Sequence, residues 1–208
     1  MHADAIKQWL IKTNEQMQQQ KETLSELDRA IGDGDHGVNM ARGFNEVVQA
    51  LSHNAANAAE DIGGIFQVVA MTLISKVGGA SGPLYGTAFL KAVPSLKGKK
   101  EVSSRELAEA LNNSLMGMKQ RGRAEVGQKT MIDVWEPIID KWLSYEMEVD
   151  YDQLKDFAQE CLEKTKDMVA TRGRAAYLGE RSKGHLDPGA ASSVILFQAL
   201  FNELKGVD

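Results

Sequence analysis

The stretch "IGGIFQVVAMTLISKVGGASGPLYG", residues 62–86, is the part of the sequence that determines the fold class. Its apolar residues recur at helical spacing, and they are Ile62, Ile65, Phe66, Val69, Ala70, Leu73, Ile74 and Val77. This rhythm predicts an α-helix with one buried face. The glycines that follow end the rhythm, and Ser81-Gly82-Pro83 is typical of the start of another helix. The stretch therefore predicts a helix, a glycine-rich loop and a second helix.

The rest of the chain repeats this organisation. A second helical series comprises Leu154, Phe157, Ala158, Cys161, Leu162, Thr165, Met168 and Val169. Helix starts are marked by Ser103 with Glu106, a capping-box pattern, by Asp150, and by Asp187 before a proline. Strand-like alternation is scarce, so no strand is predicted. We expect about eight helices, at roughly 3–27, 38–52, 58–77, 82–95, 103–121, 130–144, 150–171 and 188–205.

The connections between these helices are mostly short, which favours antiparallel neighbours in a single all-α domain over residues 1–208. Glycine-rich segments lie at 31–37, 77–86, 120–130 and 171–190, and each follows an odd-numbered predicted helix. Alternate connections of an up-and-down bundle share one end. We therefore expect all four segments to meet at the same end of the molecule.

Composition narrows the function classes. The 208 residues carry a net charge of −5, with a pI near 5.5, so free nucleic acid is an unsuitable partner. The single cysteine, Cys161, lies on an apolar helix face and is expected in the core. The sequence shows neither a signal peptide nor an apolar run long enough to span a bilayer. A cytoplasmic protein that has no membrane contact is expected.

The glycine-rich segment at 31–37 lies within "LDRAIGDGDHGVNMARGF", residues 27–44, which places Asp28, Asp33 and Asp35 close together. Its Gly-x-Gly-x-x-Gly spacing does not indicate a dinucleotide fold, because a helical pattern precedes it and acids lie inside it. An EF-hand calcium loop does not fit either, because Val38 and Phe44 occupy the positions of its glycine and closing glutamate.

Magnesium with a phosphate-bearing ligand fits this loop better. Mg²⁺ is held by one or two carboxylates and completes its coordination with water and phosphate oxygens. Backbone N–H groups in glycine loops and at helix starts favour anions. A second glycine loop, at 77–86, and the basic loop at 171–190 extend this pattern, the latter as a lid over an anion. A plain solvated turn remains the alternative for the acidic loop alone.

Four motifs in the same order carry a family resemblance: "LDRAIGDGDHGVNMARGF", "VGGASGPLYGT", "RGRAEVGQKTMIDVWEP" and "GRAAYLGERSKGHLDPGA". They resemble the ADP-binding L subunits of bacterial, phosphotransferase-system-dependent dihydroxyacetone kinases, and the match runs from about residue 20 to the C-terminus. The resemblance implies an antiparallel up-and-down barrel of helices with the nucleotide at one end. It implies two Mg²⁺ ions held by Asp28, Asp33 and Asp35, and contacts to ADP or ATP from His36, Gly37, Val38, Asn39, Ala80, Ser81, Gly122, Met131, Arg174, Asp187, Pro188 and Gly189.

The resemblance also implies a reaction cycle and two protein partners. ADP stays bound as a coenzyme and is phosphorylated to ATP by a phosphotransferase-type donor subunit, M. The γ-phosphoryl group then passes to dihydroxyacetone held on a separate K subunit. Two alternatives remain open from sequence: a kinase domain that exchanges ATP and works with a separate substrate protein, and a nucleotide-loaded regulatory module. Whether the chain forms a homodimer is also open.

Overall fold

A computed structural model describes residues 1–53 and 61–206. Within these ranges the chain folds into nine α-helices, and no strand is present apart from one isolated bridge between His2 and Glu101. The helices are α1 (Ala3–Gln19), α2 (Lys21–Ile31), α3 (His36–His53), α4 (Ile62–Lys76), α5 (Ser81–Leu96), α6 (Ser104–Gly122), α7 (Ile132–Leu143), α8 (Tyr151–Lys164) and α9 (Pro188–Lys205). Two 3₁₀ segments, Thr165–Asp167 and Arg174–Ser182, lie between α8 and α9.

The helices close into a ring. From α2 to α9 the helices pack mainly against their neighbours in sequence, and α9 returns to pack against α1, which also contacts α3. The apolar faces meet in one continuous core. Two aromatic groups fill it: Trp9, Phe66 and Phe89, with ring centroids 5.2–6.1 Å apart, and Trp135 with Phe197 at 4.9 Å. An all-α single domain, as predicted, is the observed fold.

The predicted helix starts are confirmed by the caps. Helix α5 begins at Ser81, and Ser103 and Glu106 form the reciprocal capping box before α6. The side chains of Asp150 and Asp187 accept hydrogen bonds from the backbone N–H of Gln153 and Ala190 at the starts of α8 and α9. Each cap satisfies a backbone donor that the first helical turn leaves free.

Two predicted helices are wrong in extent. The segment 3–27 is not one helix but two, which meet at Gln20, and α2 then runs to Ile31. Helix α2 lies directly on the start of α3, because Gly37 has no side chain to hold the two backbones apart. The segment 150–171 is helical only to Lys164, because the chain there tightens into a 3₁₀ turn. Smaller shifts of one to two residues occur elsewhere, and residues 58–60 lie outside the described ranges.

The four glycine-rich segments meet at one end of the ring, as the alternation of helices predicts, since residues of all four line the cavities there. At the other end of the ring, the N-terminal residues bind the loop between α5 and α6. Val102 N–H donates to Met1 O, and Ala3 N–H donates to Lys100 O, both near 3.0 Å. Among the described residues, no helix combines the length and the hydrophobicity needed to cross a bilayer.

Candidate nucleotide and metal site

Two adjoining cavities open at the glycine-rich end. The first has a volume of about 190 Å³ and contains the acidic residues, and the second, of about 260 Å³, is mainly apolar. The two share a wall formed by Ala80, Leu84, Thr130, Met131, Arg172 and Gly173. A ligand with one charged end and one flat apolar end would fit across both.

The acidic cavity is built around the carboxylate of Asp28, in the last turn of α2. One Asp28 oxygen accepts hydrogen bonds from the backbone N–H groups of Asp35, at 2.9 Å, and His36, at 3.1 Å. These bonds fold the loop back over the helix end. As a result, one oxygen each from Asp28, Asp33 and Asp35 lies within 4.8 Å of the other two.

This acidic cluster has the properties of a divalent metal site. Burial raises the pKa of Asp28, and the neighbouring charges of Asp33 and Asp35 raise it further, against the effect of the two backbone N–H groups. A cation placed among the three carboxylates would relieve this repulsion. Gly32 leaves the space that the Asp28 carboxylate occupies, because a Cβ there would lie 2.1 Å from an Asp28 oxygen. Three oxygen donors in a loop suit Mg²⁺.

His36 lies beneath the acidic loop and is 6% exposed. Its Nδ1 lies 3.0 Å from the Ser81 hydroxyl and its Nε2 lies 2.9 Å from the Ser192 hydroxyl. Burial lowers the pKa of His36 to about 4, so the ring is neutral at pH 7. Both ring nitrogens therefore have protein partners, and the ring links the acidic loop to α5 and α9.

Sequence reasoning missed the buried polar network behind His36. The Tyr85 hydroxyl lies 2.9 Å from the hydroxyls of both Ser192 and Ser193, and the Trp135 indole N–H donates to Ser193 at 2.9 Å. Burial raises the pKa of Tyr85, which keeps the phenol protonated. The only available signal was the pair of serines on the otherwise apolar face of α9.

Asn39 points its amide toward the second glycine loop. Arg42 donates to the Asn39 side-chain oxygen at 2.8 Å and to the backbone carbonyl of Lys76 at 3.1 Å. Because this oxygen is engaged, the NH₂ group of Asn39 remains as a donor beside Gly78. The end of α4 is thus fixed against α3, and Ala80 and Ser81 at the start of α5 come to line the acidic cavity.

The basic loop covers one side of the acidic cavity. Residues Arg174–Ser182 form a 3₁₀ segment, and the Arg174 guanidinium pairs with the Asp33 carboxylate at 2.9 Å. Ala175 packs with Ile31 and Ala170 in a small apolar cluster of its own. Tyr177, 90% exposed, faces outward. This covering segment, residues 168–185, is called the lid below.

Asp187 closes the cavity from the α9 side. Burial raises the pKa of its carboxyl to about 7, the N–H of Ala190 acts in the opposite direction, and the charge of Asp133 raises it further. Pro188 and Gly189 follow at the wall of the acidic cavity. A partly protonated carboxyl next to the acidic triad adds less negative charge to the site than sequence alone suggests.

Most of the residues predicted from sequence come together here. The acidic cavity is lined by Asp28, Asp33, Asp35, His36, Asn39, Ala80, Ser81, Met131, Arg174, Asp187, Pro188 and Gly189. Gly122 lines the apolar cavity. Gly37 and Val38 line neither: the first packs against the Lys21 carbonyl, and the second is exposed on α3. The wall also contains residues that the prediction lacked, namely Ile31, Gly78, Gly79, Leu84, Lys129, Thr130, Arg172, Gly173 and Ala175.

Comparison with known proteins gives consistent matches over almost the whole chain. The family model described as the DAK2 domain matches residues 30–202. The PEP-dependent dihydroxyacetone kinase 1, ADP-binding subunit DhaL of Listeria innocua is 49% identical over 195 residues, 92% of each chain. The PTS-dependent dihydroxyacetone kinase, ADP-binding subunit DhaL of Lactococcus lactis is 46% identical, over 95% of each chain.

Among solved structures, the dihydroxyacetone kinase from C. freundii in complex with AMP-PNP and Mg²⁺ is similar, with a TM-score of 0.72 and 26% identity. The similar region covers 96% of this chain and 33% of that kinase, so this chain spans about a third of its length. The neighbour therefore resembles this chain in one part of a larger protein.

Proposed function

Since this chain belongs to the DAK2-domain family, and within it to the ADP-binding DhaL subunits of PEP-dependent dihydroxyacetone kinases, it is a phosphotransferase subunit, and we propose that it carries Mg²⁺-bound ADP as a retained coenzyme. In the proposed cycle a donor subunit of the phosphotransferase type, M, phosphorylates the bound ADP to ATP. The γ-phosphoryl group then passes to dihydroxyacetone on a separate K subunit, which forms glycerone phosphate in the cytoplasm.

The pair of adjoining cavities is the observation that carries this proposal. The acidic cavity offers three carboxylate oxygens within 4.8 Å of one another, and the apolar cavity is lined by Leu84, Met118 and Ile132. A nucleotide placed across the shared wall would have its phosphates at the carboxylates and its base among these apolar side chains. That arrangement matches the polar and apolar ends of ADP.

Each part of the site has a role in this proposal. Asp28, Asp33 and Asp35 would hold two Mg²⁺ ions, which when bound supply charge neutralisation to the phosphates. Ala80 and Ser81, at the start of α5, line the same cavity, and helix starts favour anions. Arg174 lies close enough to pair with an acid of the triad, and so close enough to reach a phosphate held there.

His36 and Cys161 are poorly placed to take the phosphoryl group. The ring nitrogens of His36 are both engaged by serine hydroxyls, and burial lowers its pKa. Cys161 is buried in the core, where burial raises the pKa of its thiol. Phosphoryl transfer depends mainly on positioning and charge neutralisation, and a bound nucleotide can itself carry the group. These observations support a coenzyme role for ADP.

A relay experiment tests the proposal. The chain is loaded with radiolabelled ADP, freed of unbound label, and supplied with phosphoenolpyruvate, the phosphotransferase proteins, K and M subunits, dihydroxyacetone and excess unlabelled ADP. We expect many turnovers of product while the label stays on the chain. Loss of the label into the unlabelled pool during turnover would instead indicate a kinase domain that exchanges its nucleotide. Binding of ADP without any turnover would indicate a regulatory module.

A further inference from the structure

Lys129, in the loop between α6 and α7, is a buried cation for which the proposed function gives no role. Its residue is 1% exposed, and no other lysine is buried in the described part of the chain. Its ammonium forms no ion pair within 4.0 Å with a carboxylate of the described residues, and the charges of Asp187, Asp133 and Asp167 act on it from farther away. A buried charge without a carboxylate partner is costly unless other groups replace its hydration.

Three backbone carbonyls replace that hydration. The Lys129 ammonium donates to Thr165 O at 2.5 Å, to Met168 O at 3.3 Å, and to His185 O. An ammonium has three N–H donors whereas a neutral amine has two, so this arrangement fits the charged form. Each donor has one acceptor.

The three carbonyls lie at or beside the two ends of the lid. Met168 is its first residue, Thr165 lies three residues before it, where the chain leaves α8, and His185 is its last residue, where the chain approaches α9. Between them the lid presents Arg172 and Arg174 to the acidic cavity. A single side chain therefore joins the entry and the exit of the lid.

The same residue is fixed in the wall of the nucleotide cavities. Thr130 and Met131 follow it directly and line both cavities, and Lys129 itself lines the acidic one. Its backbone adopts a left-handed conformation, with φ +60°, which side-chain-bearing residues rarely adopt. The hydrogen bonds of the Lys129 ammonium must therefore offset the free-energy cost of this backbone conformation.

We propose that Lys129 is a positioning residue for nucleotide retention: its ammonium joins both ends of the lid to the cavity wall, and so keeps the lid closed over bound nucleotide. This inference rests on the proposed function, because it assigns to Lys129 the slow release that a coenzyme requires. The residue acts through the lid rather than through contact with the phosphates.

The test compares Lys129→Met with the wild-type chain. Methionine keeps the length of the side chain but removes all three donors. We expect ADP to dissociate from the variant at least about tenfold faster, since charge-assisted hydrogen bonds are lost. Trypsin should also cut the ADP-loaded variant faster at Arg172, Arg174 and Arg181, which are exposed in the lid. Lys166→Met is the matched control, because it removes an exposed lysine beside the same carbonyls.

A purely structural role for Lys129 gives a different result. Lys129→Met would then lower the free energy of unfolding, but the folded variant would release ADP and resist trypsin as the wild type does. That result overturns the inference. If the methionine variant does not fold, Lys129→Gly provides the same comparison, because glycine tolerates the left-handed backbone.

The wild-type protein provides a measurement that does not depend on either variant. The lid must open for a reagent to reach the Lys129 amine, so bound ADP and Mg²⁺ should slow acetylation of Lys129 and tryptic cleavage of the lid together. Equal acetylation rates with and without ADP overturn the inference. If the wild-type chain binds no ADP, the proposed function fails instead. The role of Lys129 in holding the lid is then tested by comparing the rates at which trypsin cleaves the lid in the nucleotide-free wild type and in nucleotide-free Lys129→Met.

Discussion

Gly32 illustrates how a single residue makes the acidic site possible. The Asp28 carboxylate occupies the space in which a side chain at position 32 would lie, 2.1 Å from the expected Cβ. We predict that Gly32→Ala leaves the helical core intact but displaces this carboxylate, because an aspartate side chain can rotate away at low cost. Bound Mg²⁺ and ADP should both fall, as measured by elemental analysis and chromatography. Gly206→Ala is the control, since its Cβ would meet no atom closer than 3.7 Å.

Substitution of Asp33, a second carboxylate of the acidic cluster, tests the same metal site. In this structure its carboxylate pairs with Arg174, and both side chains are partly exposed. Asp33→Asn should abolish phosphoryl transfer, because a metal ligand is lost and the phosphates remain unneutralised. The free energy of unfolding without nucleotide should change by less than about 1 kcal/mol. If the variant transfers phosphoryl groups at the wild-type rate, the assignment of Asp33 as a metal ligand is wrong. Asp140→Asn is the control for the lost charge, because Asp140 is exposed on the surface of α7.

Functional residues that form a local sequence pattern can be predicted, whereas a single functional residue outside any pattern cannot. Asp28, Asp33 and Asp35 are recognisable because three acids lie close together in the sequence among glycines. Lys129 is not recognisable, because one lysine in a polar loop resembles a surface residue. Its burial depends on carbonyls 36 to 56 positions away, and no local pattern contains that information.

At the scale of elements, Asp61 shows how the end of the ring opposite the site is fixed. One of its oxygens accepts from Gly64 N–H at 2.6 Å as the cap of α4, and the other accepts from Gly98 N–H at 2.9 Å. Asp61→Ala should lower the free energy of unfolding by about 1–2 kcal/mol in urea denaturation, with ADP affinity unchanged. Asp61→Asn should recover only part of this stability, because its single amide oxygen can accept from Gly64 or from Gly98 but not from both. A loss of ADP affinity in the alanine variant would show that the two ends are coupled.

The cap of α9 predicts a pH dependence. The pKa of Asp187 is raised from 3.8 to about 7, so its carboxyl stabilises the fold below about pH 4 and loses this contribution as the pH rises through 7. Asp187→Asn keeps the cap and cannot ionise. The stability of the nucleotide-free variant relative to wild type should therefore increase between about pH 4 and pH 7 and then level off, as measured by urea denaturation. A constant difference would contradict the raised pKa.

Element boundaries are predictable where a local cap sets them and not where distant packing does. Ser103 with Glu106, Asp150 and Asp187 each provide a cap within three residues of the helix start. The break at Gln20 has no glycine or proline to mark it, and follows from the contact of α2 with Gly37 on α3. The end of α8 has a similar distant cause, since Lys129 binds the carbonyls there.

For the whole molecule, the most useful prediction from sequence was the meeting of four glycine-rich segments at one end. It required only the order of helices and loops, and the early break at Gln20 did not disturb it, because α1 and α2 together replace one predicted helix. The family resemblance implies an apolar base pocket near Met131 and the 120–130 loop, and the apolar cavity lies there. The contributions of Leu84, Met118 and Ile132 could not be predicted, since these residues belong to three different helices and approach one another only in the folded chain.

The nucleotide and metal content of the purified protein shows whether ADP is a retained coenzyme. The protein is freed of unbound small molecules, denatured, and assayed by chromatography for nucleotide and by elemental analysis for metal. A retained coenzyme predicts about one ADP and about two Mg²⁺ per chain, because slow release preserves both through purification. A folded protein that emerges empty, and binds ATP and releases it rapidly, would contradict the account.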